Sequence, residues 1–253
     1  MKDELTLAYL NLHAVLPLLE EIVEFDSESA RIVRGWNYSI RFAVGGGGPA
    51  AFLQFRNGKL KVQPDKGAFP SVGFWFPSPQ KLNRMFEGKG MPILWTGFWD
   101  IGVLKGFPAL AKRLEYFMRP TEEMLKNKDV FEFYVKLNLY AMTAGIKAVG
   151  ENDPEIKPLI SKTRNGIAQF ETLPNGPAAY VTLHDGKLEM GKGHTQKPNC
   201  FMSFRNSEIL YQLIKGELDA YAALAKCDIN LGGFLPLVDT FNAALDKVGE
   251  YLK

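Results

Sequence analysis

Ala51, Leu53 and Phe55 alternate with Phe52, Gln54 and Arg56, the two-residue period of a half-buried strand. Asn57 and Gly58 follow, and Leu60 and Val62 resume the apolar parity, so the segment predicts a β-hairpin closed by a tight turn. Val72, Phe74 and Phe76 share one face of a third strand, with Trp75 on the other. The period then changes. Ser78 is placed to cap a short helix carrying Leu82, Met85 and Phe86, and Gly88 stands where a helix C-terminal glycine belongs. A fourth strand is expected near Trp99 to Leu104, followed by an amphipathic helix with Phe107, Leu110, Leu114 and Phe117. Helical spacing also marks Leu5 to Val23 and Val130 to Val149, and Asp153 with Pro154 reads as an N-cap and first turn.

The pattern occurs twice. Gly48-Pro49-Ala50-Ala51 recurs as Gly176-Pro177-Ala178-Ala179, and Gly58-Lys59-Leu60 as Gly186-Lys187-Leu188, both at an offset of 128 residues. Phe42/Phe170, Pro70/Pro198, Phe76/Phe204, Leu82/Leu210, Gly88/Gly216, Asp100/Asp228 and Ile101/Ile229 keep that offset. Ala179, Val181 and Leu183 repeat the strand alternation, Leu188 and Met190 follow an Asp185-Gly186 turn, and Cys200, Met202 and Phe204 match the third strand. Asn206, Leu210, Leu213 and Ile214 match the short helix, and a strand is expected near Cys227 to Leu231. Near the end Gly106-Phe107 fits Gly233-Phe234 at 127 residues, which sets Phe234, Leu237, Phe241 and Leu245 against the first closing helix, whereas Pro108/Pro236 stays at 128. The expectation is an α+β chain of two matching modules, 1–118 and 128–253, joined by a linker at 119–127.

Composition narrows the function classes. Hydrophobic residues at 46% suffice for a packed core, and 30 Lys and Arg against 28 Asp and Glu leave no basic stripe for nucleic acid. The opening Met1-Lys2-Asp3-Glu4 lacks the basic region of an export signal, and Asn11, His13, Pro17, Glu20 and Glu21 interrupt the Leu5–Val23 run, so neither secretion nor a membrane span is expected. Two cysteines fit a reducing compartment, and the expected location is cytoplasmic.

Candidate chemistry is sparse. Gly45 to Gly48 invites a phosphate-loop reading, but Pro49 and a strand follow where such a loop needs Gly-Lys-Ser/Thr and a helix. The corresponding Pro174-Asn175-Gly176 is an ordinary turn. His13, His184 and His194 have no metal-ligand spacing with a Cys or carboxylate, and no metal or cofactor is expected. Cys200 corresponds to Val72, an inward strand position where a thiol serves as a small hydrophobe. No His, Ser or Lys recurs beside Asp100 and Asp228 to complete a catalytic constellation, so no enzyme activity is expected.

The order of helix, strand, Asn/Asp-Gly-Lys-Leu hairpin, third strand, glycine-ended helix, further strand and closing helix resembles the sterol carrier protein 2 family, in two tandem copies. Phe52–Val62, Phe74–Gly88 and Gly97–Leu114 carry the resemblance, with Tyr180–Met190, Phe201–Gly216 and Asp228–Phe241 in the second copy. Gly97, Gly102 and Gly106 supply the family's glycine-punctuated strand in the first copy, while the second has Ala225 and Asn230 at the first two of these places. The chain ends Tyr251-Leu252-Lys253 and not in a peroxisomal tripeptide.

The resemblance implies a mostly antiparallel sheet covered on one face by helices, with an apolar cavity between for a sterol, fatty acid, phospholipid or acyl-CoA. A non-catalytic accessory or scaffold role beside a lipid- or quinone-related enzyme system is the alternative it implies. The walls so implied are Phe74, Phe76, Leu82, Met85, Phe86, Trp95, Phe98, Phe107, Leu110 and Leu114 in the first copy. In the second they are Met202, Phe204, Leu210, Leu213, Ile214, Phe234, Leu237 and Phe241. Aromatics crowd the first copy beyond what a module this small needs, and they serve either as cavity lining or as core and interface. The expected partner is an apolar small molecule, held by a monomer of two lobes.

Overall fold

The computed structural model describes residues 2–65 and 67–252 and divides into two compact units, 1–119 and 120–253. The first unit opens with α1 (Glu4–Leu10), a π turn (Asn11–Val15), α2 (Leu18–Phe25) and α3 (Ser27–Val33). Asp3 and Asp26 begin α1 and α3 by accepting the N–H groups of Thr6 and Ser29. Pro17 has no N–H to give, and the turn before it widens, so that the Leu16 N–H reaches the Asn11 carbonyl five residues back. Glu4–Phe25 is long and apolar enough by length and composition to cross a membrane, more than the sequence reading allowed. Ala8, Leu10, Leu12, Leu19 and Ile22 are nevertheless fully buried in the unit, as in the core helix of a globular domain.

The sheet follows as β1 (Ser39–Val44), β2 (Ala50–Arg56), β3 (Lys59–Pro64), β4 (Val72–Phe76) and β5 (Ile93–Thr96), with α4 (Pro79–Phe86) before β5 and α5 (Ile101–Met118) after it. Strand order is β3-β2-β1-β4-β5, with β1 and β4 parallel and the other pairs antiparallel. Ile40, Phe42, Leu53, Phe55, Val72, Phe74 and Phe76 put one parity into the core.

The second unit repeats this plan. After α6 (Glu122–Leu125), within the expected linker, come α7 (Lys128–Asn152), α8 (Lys157–Lys162), β6 (Gly166–Thr172), β7 (Ala178–His184), β8 (Lys187–Lys192) and β9 (Cys200–Phe204). The unit closes with α9 (Ser207–Lys215), α10 (Ala220–Ala225), β10 (Ile229–Gly233) and α11 (Leu235–Leu252). Its sheet runs β8-β7-β6-β9-β10, again with one parallel pair, β6 with β9. Both hairpin turns take the left-handed conformation on consecutive residues, Asn57-Gly58 and Asp185-Gly186.

The register of the repeat changes after the short helix, and three sequence expectations change with it. Gly97 and Gly233 are the equivalent pair: each ends the edge strand at φ 89°, and a side chain at either would strike the backbone of the neighbouring strand at Ser71–Val72 or Asn199–Cys200. Their offset is 136, because Gly233 follows Gly216 by 17 positions, α10 among them, where Gly97 follows Gly88 by nine. The fourth strand of the first unit is therefore Ile93–Thr96, and the segment expected as strand, 99–104, starts the closing helix. Asp100 and Asp228 are not counterparts: one precedes α5, the other precedes β10.

The closing helices match at 134, where the buried series Val103, Phe107, Leu110, Leu114, Phe117 meets Leu237, Phe241, Ala244, Val248, Tyr251. The 127-residue match of Gly106-Phe107 to Gly233-Phe234 does not survive. Gly106 is a helix residue whose missing side chain makes room for Trp36, itself packed edge-on to Phe55 at 5.0 Å.

One tie is built twice at this register. Asp26 accepts two guanidinium N–H groups of Arg113 at 2.8 and 2.9 Å, and Arg113 also reaches Glu28 at 3.2 Å. Asp153, in Asp26's place, accepts the Tyr251 hydroxyl, while Lys247, in Arg113's place, pairs with Glu155 at 2.7 Å. Each tie fastens the closing helix to the corner where the opening helices turn.

Candidate ligand-binding site

Between helices and sheet the first unit is filled with rings. Phe42 lies 5.2 Å from Phe74, 5.5 Å from Phe107 and 6.3 Å from Phe76, centroid to centroid, and Leu82, Leu110 and Leu114 are buried with them. The matching positions in the second unit are Phe170, Met202, Phe204 and Phe241, with Leu210 and Leu237 also buried. Six of the ten wall residues expected in the first unit are thus core, and five of the eight in the second. Met202 in place of a phenylalanine leaves the second interior less filled. A cavity of only about 10 Å³ lies there between β6, β9 and α11, lined by Ala168, Phe170, Cys200, Met202, Val238 and Phe241 among others. Burial pushes the Cys200 thiol up to about 11, so it is a protonated, apolar part of that wall.

The core-facing side of the edge strand is only partly covered in both units. Leu94 pairs directly opposite buried Phe74, and Leu231 opposite buried Met202, so each belongs to the core-facing parity. Both are only half-buried. The last turns of α4 and α9 likewise leave Met85, Phe86, Leu213 and Ile214 half-buried, and Phe234 shares that state just before α11. Sequence reading placed Met85, Phe86, Leu213, Ile214 and Phe234 at the site but missed Leu94 and Leu231. Ile93-Leu94-Trp95 between Pro92 and Gly97 was the available signal, a short β-branched and aromatic run bounded by breakers.

Two expected wall residues lie elsewhere. Trp95 sits in a bulge of β5, its ring over Gly73 on the sheet's outer face, and Phe98 is exposed in the turn before α5. The second unit makes the same outer-face contact with the sizes exchanged: the ring of Phe201 lies over Gly232, and Trp95 and Phe201 are each 38% exposed. Also on this face, Arg41 and Gln169 hold the long loop before β4 or β9, through Asp65 in the first unit and through the Thr195 N–H and Gly193 carbonyl in the second.

Among the described residues the three histidines have separate partners. His13 meets the Ala50 carbonyl, His184 meets Asp185, and His194 lies 3.1 Å from Glu171. Among the described residues no group of three or more His, Cys, Asp and Glu side chains is placed to hold a metal ion.

No protein-family model matches the chain, and no curated protein matches it. Solved structures do. Sterol carrier protein domain 2 of Helicoverpa armigera matches at 24% identity over 44% of this chain and 88% of its own, with a TM-score of 0.34. The chain is similar to sterol carrier protein 2 domains. Sterol carrier protein 2 of Yarrowia lipolytica, in its apo form, matches at 16% identity over 44% of this chain and 92% of its own, TM-score 0.34. A UbiJ-SCP2 ubiquinone synthesis protein matches at 16% over 42% and 94%, TM-score 0.32. Each match covers a little under half of the chain, close to the length of one of its two units.

Proposed function

We propose that the chain binds a lipid-like apolar molecule in each unit, along the edge where the helical layer leaves the sheet's inner face open, and that it holds this molecule without making or breaking a bond. The observation that carries the reading is the repetition of that opening: Phe86 with Leu94 in one unit, Ile214 with Leu231 in the other, all apolar and all half-buried at corresponding places. An acyl chain laid there covers apolar surface at about 25 cal/mol per Å², or roughly 0.8 kcal/mol per methylene. Several methylenes give an affinity on the order of micromolar once association is accounted for, with no charged anchor.

Titration with a fluorescent fatty acid tests this. Wild type should saturate, Phe86→Asp should lose the first site and Ile214→Asp the second, each by about tenfold or more, since a carboxylate in an apolar contact carries a desolvation cost above 1.4 kcal/mol. Circular dichroism checks that both variants remain folded. Absence of saturable binding to any acyl or sterol probe, or two folded variants that bind like wild type, would end the proposal.

A further inference from the structure

The first unit exposes far more apolar surface than the second, and concentrates it. From Met91 to Ile101 the chain passes through β5 and the turn into α5, presenting Met91 at 88% exposure, Trp99 at 93% and, between and beside them, Ile93, Trp95, Phe98 and Ile101. Phe69, 79% exposed in the loop before β4, meets the Trp95 ring edge-on at 5.7 Å and extends the patch across the outer face. A fold of this kind does not need these groups. The second unit exposes fewer large apolar side chains here, Tyr221 and Leu224 on the inserted α10 and Leu235 at the start of α11, and the turn before its closing helix is the single residue Phe234. Exposed apolar area of this extent marks a surface that meets another phase or molecule.

We infer that this rim is a membrane-docking surface, which rests the first unit on an anionic phospholipid bilayer. Two observations favour a lipid interface as the occupant. The first is the residue set: two tryptophans, two phenylalanines, two isoleucines and a methionine on the edge strand and the segments beside it match what the headgroup boundary accepts, amphipathic rings with aliphatic neighbours. The second is charge. Residues 1–119 carry fifteen Lys and Arg against eleven Asp and Glu, a formal +4, whereas residues 120–253 carry fifteen against seventeen, a formal −2. The exposed rings are on the cationic unit. Between Pro77 and Lys112 five cations, Lys81, Arg84, Lys89, Lys105 and Lys112, face two acids. Of these, Glu87 is 3.2 Å from Lys89, and Asp100 lies within the rim itself. Cations on α4 and α5 to either side of an apolar rim are arranged to meet anionic headgroups while the rings enter the boundary.

Docking through the rim is separate from holding a ligand at Phe86 and Leu94, and the test separates them. The full chain and the double variant Phe98→Ala/Trp99→Ala are mixed with vesicles of phosphatidylcholine alone and of phosphatidylcholine with phosphatidylglycerol, and the bound fraction is measured by sedimentation. Trp99 is nearly all exposed, so the variant keeps its fold, which circular dichroism verifies. Wild type should bind the anionic vesicles, with weaker binding at high salt and a blue shift of tryptophan emission. The variant should bind about tenfold more weakly, given roughly 25 cal/mol per Å² for the ring area withdrawn from water. Its fatty-acid titration should equal that of wild type, which shows that loss of docking is not loss of the ligand site. The inference is overturned if the folded wild type leaves both vesicle types unbound, or if the variant binds them equally well. It is also overturned if wild type is a dimer that the double substitution turns into a monomer, because a second copy then covers the rim.

Discussion

The hydroxyl of Tyr251 donates to the carboxylate of Asp153 across 2.7 Å, whereas Phe117, at the same place in the first unit, has no hydroxyl to give. Arg113, a full turn earlier in α5, fastens the equivalent Asp26 instead. Asp153 is almost completely buried, so removing its donor leaves a carboxylate oxygen to be desolvated. Tyr251→Phe is expected to destabilise the second unit by about 1–3 kcal/mol, read as a lower urea midpoint for that unit.

Arg113→Met is expected to lower the stability of the first unit by about 1–3 kcal/mol, less than a fully buried pair because the guanidinium is partly solvated. Burial pushes the Asp26 carboxyl up, but the Arg113 guanidinium and the hydroxyl and N–H of Ser29 outweigh it and hold the group below its usual 3.8. A carboxyl lowered on folding stabilises the folded state in full above its unfolded value and loses that contribution as pH falls through the folded one. Urea midpoints of wild type and Arg113→Met measured from neutral pH downward should therefore converge below about pH 4.

Gly97→Ala and Gly233→Ala should each cost several kcal/mol, about 3 or more, because a positive φ and a backbone collision act together. Gly88→Ala is the comparison: its φ is 74° but the space around it is open, so about 1 kcal/mol is expected. Thermal unfolding of the three variants checks the order.

Cys200 and Cys227 should differ sharply towards a thiol reagent. Cys227 is exposed, while Cys200 is buried with its thiol pushed up to about 11. At pH 8 a maleimide should modify Cys227 quickly and Cys200 only as the unit opens, and a saturating fatty acid should slow the Cys200 reaction further by stabilising the closed unit.

The hairpins and the core parity of β2, β4, β7 and β9 were legible because alternation, turn chemistry and repetition agreed there. The edge strand was not. Four residues, Ile93 to Thr96, are too few for a period to declare itself, and holding the 128-residue register past Gly88 aligned Asp100 with Asp228 across an inserted α10. Gly102 and Gly106 then read as strand punctuation, although Gly106 is a helix residue shaped by Trp36. Of the site, Phe86 and Ile214 were found through helical spacing, whereas Leu94 depended on a strand expected in the wrong place and Leu231, inside the strand expected at 227–231, carried no signal that set it at the wall. The burial of Phe74, Phe107 and Phe241 depended on distances between rings, which no linear pattern contains.

The exchange of sizes between Trp95 over Gly73 and Phe201 over Gly232 restricts how the two halves could have drifted apart. One substitution cannot carry either arrangement into the other. An aromatic at position 73 facing Trp95 would be a collision of two rings, so a passable route goes through a form with small residues on both strands. Because both rings are themselves more than a third exposed, that intermediate leaves a dent, not a buried hole, and its cost is modest. Such a site lets duplicated halves diverge early, and an ancestor of either half need not have had an aromatic there at all.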